Sequence, residues 1–220
     1  MTFSDLKTLV WSWLDDPNGG YFTDAQVGVF INNAARQVQK KLIQSGDPWY
    51  GETVQTVLSA NLNTYTLPSD FLKLHRIDIF LNGTFPNETR CRLIPVTPVE
   101  ADRFPTGTGT PECYWIYKGN IVFAKTPDTA YTIEMLYSYA IVDMVNGTDV
   151  PDVPTQYQEM IAIYATLDGY LKDQRDPNPV FAQKLAMYEQ SMVQDAQERN
   201  VDEGRYVNCT ESETDYICYY

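Results

Sequence analysis

Apolar positions along the chain begin at helical spacing, switch to alternation, return to helical spacing and then lose any period. Phe3, Leu6, Leu9, Val10, Trp13 and Leu14 recur every three or four residues, which predicts an amphipathic helix over 3–14. Asp15-Asp16-Pro17-Asn18-Gly19-Gly20 ends it. Thr23 and Gln26 have the spacing of a capping box, and Val27, Phe30, Ile31, Ala34, Val38 and Leu42 then mark one face of a second helix. Asp47-Pro48 closes that helix, and the short connection predicts an antiparallel pair.

From Thr53 the pattern is that of strands. Thr53–Leu58, Asn63–Leu67 and Phe71–Phe80 are candidates, and Asn82-Gly83 predicts a hairpin whose return strand covers Arg90–Pro95. Pro98–Phe104 allows one helical turn, and Phe104–Pro111 reads as a loop. Cys113–Tyr139 then holds three apolar, β-branched and aromatic runs, separated by Gly119-Asn120 and Pro127-Asp128, which predicts a β-meander. Helical spacing returns after Pro154. Thr155 and Gln158 are again in capping-box register, and Met160, Ile161, Ile163, Tyr164, Leu167, Tyr170 and Leu171 form a wide apolar face. After Asp176-Pro177-Asn178-Pro179 a last helix carries Phe181, Leu185, Tyr188, Met192 and Ala196.

These elements predict an α+β protein. Two helix pairs, 1–48 and 151–200, pack as a four-helix bundle, an antiparallel β domain is inserted at 49–150, and 201–220 forms an extended C-terminal arm. The arm is acidic and has no period, yet it holds Tyr206, Tyr216, Ile217, Tyr219 and Tyr220. Disordered tails are usually poor in aromatics, so these side chains call for an apolar surface, in the same molecule or in another.

Charge narrows the choice of partner. The chain of 220 residues has net charge −13, and residues 151–220 carry 13 acidic against 5 basic side chains. Gripping nucleic acid needs Lys and Arg, so specific binding is disfavoured, although an acidic wall would let a duplex pass without sticking. No signal peptide and no apolar run of membrane-spanning length is visible. Cys91, Cys113, Cys209 and Cys218 match no C-x-x-C pattern and are expected as free thiols. The sequons at Asn82, Asn87, Asn146 and Asn208 read as loop chemistry.

Motifs for chemistry are sparse. His75 is the lone histidine and sits inside a strand candidate, where a structural role is the plain reading. Thr106-Gly107-Thr108-Gly109 lacks the lysine and the following helix of a phosphate loop. Asp15-Asp16 and the run Glu198–Glu203 have carboxylates but not the alternating ligands of a calcium loop. No catalytic residue, metal ligand or cofactor is expected. An alternative is a non-enzymatic ligand- or carbohydrate-binding β module, with Trp49, Tyr50, Tyr114 and Trp115 lining a groove.

Several local phrases resemble the head–tail adaptor (connector) proteins of tailed bacteriophages over about residues 5–195. They are the helix pair Leu6–Leu14 and Tyr21–Ala34, the strand-opening phrase Tyr65-Thr66-Leu67-Pro68-Ser69-Asp70-Phe71, the run Tyr114-Trp115-Ile116-Tyr117 to Phe123 with Thr126-Pro127-Asp128 and Met135-Leu136-Tyr137, and Val150–Pro154 opening a helix that runs from Ala162 to Tyr170. The resemblance implies a non-enzymatic virion protein, made in the host cytoplasm, that forms a homo-oligomeric, usually dodecameric, ring beneath the portal protein. Such a ring extends the DNA channel, passes double-stranded DNA without specific binding, and carries the next tail or nozzle protein. By the same resemblance the arm with Tyr206, Tyr216, Ile217, Tyr219 and Tyr220 would dock on the portal.

Overall fold

Threonine hydroxyls set the helix starts. The computed structural model describes residues 1–16, 19–81, 89–104 and 107–200. In chain order the helices are α1 (Phe3–Leu14), α2 (Asp24–Ser45), α3 (Pro98–Ala101), α4 (Gln158–Asp173) and α5 (Pro179–Asn200). Thr23 caps α2 through a reciprocal capping box with Gln26, as its spacing predicts. Thr2 with Asp5 and Thr97 with Glu100 do the same for α1 and α3. The Thr155–Gln158 box does not form. Thr155–Tyr157 is a 3-10 turn, and the Gln158 amide instead donates to the Val153 carbonyl at 3.2 Å.

The strands are β1 (Gly51–Leu58), β2 (Thr64–Thr66), β3 (Phe71–Phe80), β4 (Arg90–Arg92), β5 (Ile94–Pro95), β6 (Gly107–Thr108), β7 (Cys113–Tyr117), β8 (Asn120–Phe123), β9 (Lys125–Thr126) and β10 (Tyr131–Tyr139). The protein is therefore of mixed α+β class. The chain groups into two compact units. One holds Met1–Trp49 with the described residues from Ile141 on, and the other holds Tyr50–Ala140. Residues 141–150, placed at the end of the β domain by the sequence reading, group with the helices.

In the helical unit α4 touches α1, α2 and α5. Its buried residues include Ala162, Ala165, Thr166 and Gly169, small side chains that admit neighbours closely. Gly169 is the tightest point: a Cβ there would lie 2.6 Å from Leu14 Cδ2, and Leu14 is fully buried. The Tyr170 hydroxyl donates to the Trp13 carbonyl at 2.8 Å beside this crossing.

The β unit corrects the sequence reading in its topology. Cys113–Tyr139 is not a meander. β7 and β8 form a hairpin in the sheet β2-β8-β7-β5, but β10 leaves it and lies between β1 and β3 in the sheet β1-β10-β3-β4. The hairpin turn is Lys118-Gly119, both with positive φ (48° and 74°), so Asn120 already opens β8. The segment Arg90–Pro95 is two short strands: β4 pairs antiparallel with β3, and β5 pairs parallel with β7. β6, within the expected loop, pairs parallel with β9. The domain is thus antiparallel except for these two short pairs. The Asn82-Gly83 turn lies outside the described residues.

Alternation in β10 explains the core. Tyr131, Ile133 and Met135 point inward to meet Ile77 and Ile79 of β3, and Ile121, Phe123 and Tyr114 of the other sheet join the same cluster. On the opposite face Asp78 is 3% exposed, and three arginines surround it. Arg90 Nε donates at 2.9 Å and Arg92 Nε at 3.2 Å, Arg76 approaches to 3.4 Å, and Arg90 also binds Glu134. Glu134, Asp78 and Arg92 share one rung of the register, so two carboxylates stand side by side, and Arg90, bonded to both, offsets their repulsion.

Two substitutions test this packing. Gly169→Val forces a branched side chain onto Leu14 and is expected to destabilise by about 2–4 kcal/mol in urea unfolding. Asp78→Ala leaves clustered arginines without their shared carboxylate. Its expected cost is about 2–3 kcal/mol, below that of a wholly buried pair because the guanidinium groups reach solvent.

Candidate functional site

Lys184, Tyr188, Glu189 and Asp195 of α5 are engaged with its neighbours in the unit. Lys184 donates to Glu159 Oε1 of α4 at 2.6 Å, and the Tyr188 hydroxyl binds the same carboxylate. Glu189 accepts from Lys41 of α2 at 2.7 Å and from the Tyr164 hydroxyl at 3.1 Å. Asp195 accepts from Gln156 at 2.6 Å and from the Tyr157 hydroxyl at 2.5 Å. Leu185, Met192 and Ala196 are buried between these pairs, and Phe181 lies 5.2 Å from the Trp13 ring. The Lys184 and Tyr188 bonds hold the Glu159 carboxyl below its ordinary value, and Lys41 does the same for Glu189. Burial, helped by Glu159, pushes the Tyr188 hydroxyl up to about 12.

The second built feature is the segment from Ile141 to Val150. Its carbonyls at Asp149 and Gly147 accept from the first free N–H groups of α1, Phe3 at 2.7 Å and Ser4 at 3.0 Å. Asn32 of α2 makes a two-way pair with the Met144 backbone, both bonds at 3.0 Å. Arg36 binds Asp143, and Asp149 Oδ2 accepts from the Val145 and Asn146 backbone. An irregular stretch is thereby fixed as firmly as a regular element. The sequence reading treated it as a link. The Asn146–Asp149 turn chemistry was visible, but the α1 and α2 donors are distant in sequence.

In the β unit a groove of about 380 Å³ is lined by Phe71–His75, Pro95-Val96 and Tyr114–Ile116. Two bulges in β3, at Leu72 and His75, break the register against β10 beside it. His75 Nε2 meets Ser138 Oγ at 2.7 Å. Burial, with Lys73 nearby, holds this histidine below its ordinary value. Ser138 is 2% exposed, so the pair offers no accessible nucleophile and reads as a structural bond. Tyr114 and Trp115 do border the groove. Tyr50, fully buried against Tyr139, does not, and Trp49 belongs to the helical unit, where its indole donates to Asp152 at 3.2 Å. The aromatic set expected for a carbohydrate groove is therefore not assembled.

The remaining candidates resolve into local structure. Asp16 accepts from the backbone of Gly20, Tyr21 and Phe22 at 2.7–2.9 Å and organises the turn after α1. Gly107-Thr108 is β6, and Gly109 N donates to the Thr126 carbonyl. Cys113 is a free thiol, and burial raises its pKa. Among the described residues no group of three or more His, Cys, Asp or Glu is placed to hold a metal ion, and no helix is long and apolar enough to cross a membrane. Tyr206, Tyr216, Ile217, Tyr219 and Tyr220 lie outside the described residues.

Both units carry dense polar ties, the α5 pairs and the 141–150 segment in one and the Asp78–Glu134 arginine cluster in the other. In a comparison with protein families, residues 1–208 match the family model described as SU10 adaptor protein. The chain belongs to that family. No curated protein shows a significant match. Membership in the SU10 adaptor family makes this a bacteriophage adaptor, a structural virion protein, in line with the resemblance read from the sequence. The question for an SU10 adaptor is which surfaces join it to neighbours, and α5 and the 141–150 segment are the parts of its helical unit most elaborately fixed.

The α5 pairs carry a pH signature. Glu159 and Glu189 titrate below their ordinary 4.5 in the folded protein, so their pairs stabilise α5 above that pH. That stabilisation disappears as pH falls below 4.5 through the folded values. Amide exchange along α5 is expected to accelerate on acidification through this window before α4 follows. Equal protection of both helices across the window would contradict the assignment.

Proposed function

We propose that the chain is a head–tail adaptor of a tailed bacteriophage, forming a homo-oligomeric ring, on the family precedent a dodecamer, below the portal. The observation that carries this reading is the family match over residues 1–208. In this role α1, α2, α4 and α5 act as a four-helix bundle that makes the ring, while the β unit receives the next tail or nozzle protein. The exposed Leu72 and Ile116 beside the β-unit groove give such a partner an apolar foothold. The net charge of −13 suits a channel wall that lets double-stranded DNA pass without holding it.

The C-terminal arm is assigned to the portal. Tyr206, Tyr216, Ile217, Tyr219 and Tyr220 supply the aromatic anchors, and docking offsets the entropy of ordering the arm. Deleting residues 201–220 is expected to leave a protein with an unchanged circular dichroism spectrum and melting temperature that no longer co-sediments with portal rings. Unimpaired co-sedimentation would remove the arm from this role.

A further inference from the structure

Helix α5 has its charges on the wrong side for an ordinary surface helix. Among its exposed residues from Pro179 to Glu198, only Glu198 is charged. Lys184, Glu189 and Asp195 are half-buried and engaged with α2, α4 and the turn before α4. The solvent face is left to Ala186, Met187, Gln190, Val193, Gln194 and Gln197, with Met187 72% exposed. A helix that finally faced water would carry its Lys and Glu outward.

The 141–150 segment repeats the arrangement. Its two acids are engaged internally, Asp143 by Arg36 and Asp149 by backbone N–H groups of its own turn. It shows to solvent Val142 (89% exposed), Val145 (77%) and Val150 (60%), beside the exposed Asp143–Arg36 ion pair and Asn146–Thr148, on a backbone pinned to α1 and α2. Three valines this exposed within nine residues, on a fixed backbone, form an apolar stretch of the kind found at contact sites.

The two surfaces lie on opposite flanks of the helical unit. Asn32 of α2 holds the valine segment and Lys41 of α2 holds α5. These positions are nine residues apart, about 180° around the helix at 3.6 residues per turn. We infer that the uncharged face of α5 in one subunit packs on the valine segment of the next copy, giving the head-to-tail contact a closed ring requires. Charge selects the occupant. Two molecules of net charge −13 repel over most of their surface and meet at least cost where charge is sparse or paired: Arg36 neutralises Asp143 on the valine segment, and Glu198 is the single exposed charge of α5 from Pro179 to Glu198. A basic partner would be drawn to the acidic remainder instead. The inference rests on the ring reading and specifies the surfaces that make it.

Met187→Lys and Val145→Asp test it, read by sedimentation velocity on the full chain. Both residues are exposed, so each variant should keep the wild-type circular dichroism spectrum and melting temperature. Each substitution alone should weaken self-association by roughly tenfold or more, as expected for a charge placed within an apolar contact. Mixed together, the two variants retain one intact contact between them, so a dimer absent from either alone should form. Rings left intact by both substitutions, or a mixture that shows no dimer, would overturn the inference alone. A wild-type chain that forms no rings under the same conditions would remove the ring reading and this inference with it.

Discussion

Helix α4 is enclosed by α1, α2 and α5, and that enclosure constrains the whole helical unit. It requires small residues where neighbours come closest, hence Gly169 against Leu14. It also decides how α5 is held. The apolar contact of α5 is narrow, with Leu185, Met192 and Ala196 buried, and the remaining hold comes from Glu159, Lys41 and the Tyr157 region. A helix fastened by Lys184, Glu189 and Asp195 keeps, from Pro179 to Glu198, only Glu198 as an exposed charge.

The same economy appears in the 141–150 segment, where each acid is bound within the unit and the valines face out. Groups that would normally keep a surface soluble bind within the unit, and Met187, Val142, Val145 and Val150 are left exposed. The β unit follows a different plan. One cluster of its charges lies on one sheet face, where Asp78 and Glu134 neutralise most of an arginine group, and β3 carries two bulges by the groove.

Much of the fold was legible in the sequence where the signal is local. Thr23 with Gln26 marks the start of α2, and the alternation from Phe71 to Phe80 matches β3 end to end. Non-local pairing was not legible. The turn residues at Pro127-Asp128 say that the chain turns, but not that β10 will cross to another sheet and lie between β1 and β3. Gln158 has the right spacing for a cap, and the Val153 carbonyl takes its amide instead. The candidate surfaces were hidden for the same reason. Phe181, Leu185 and Met192 showed which side of α5 is apolar, but the partners of Lys184 and Glu189 come from α4 and α2, so the neutral outer face emerges only from the packing.

The central claim is that this adaptor builds a ring. Electron microscopy of the full-length protein mixed with portal and tail proteins of the same phage tests it most directly. The account predicts a ring with a central hole, its helical units in mutual contact around the hole. Separate single subunits bound to the partners, or compact particles with no hole, would contradict it.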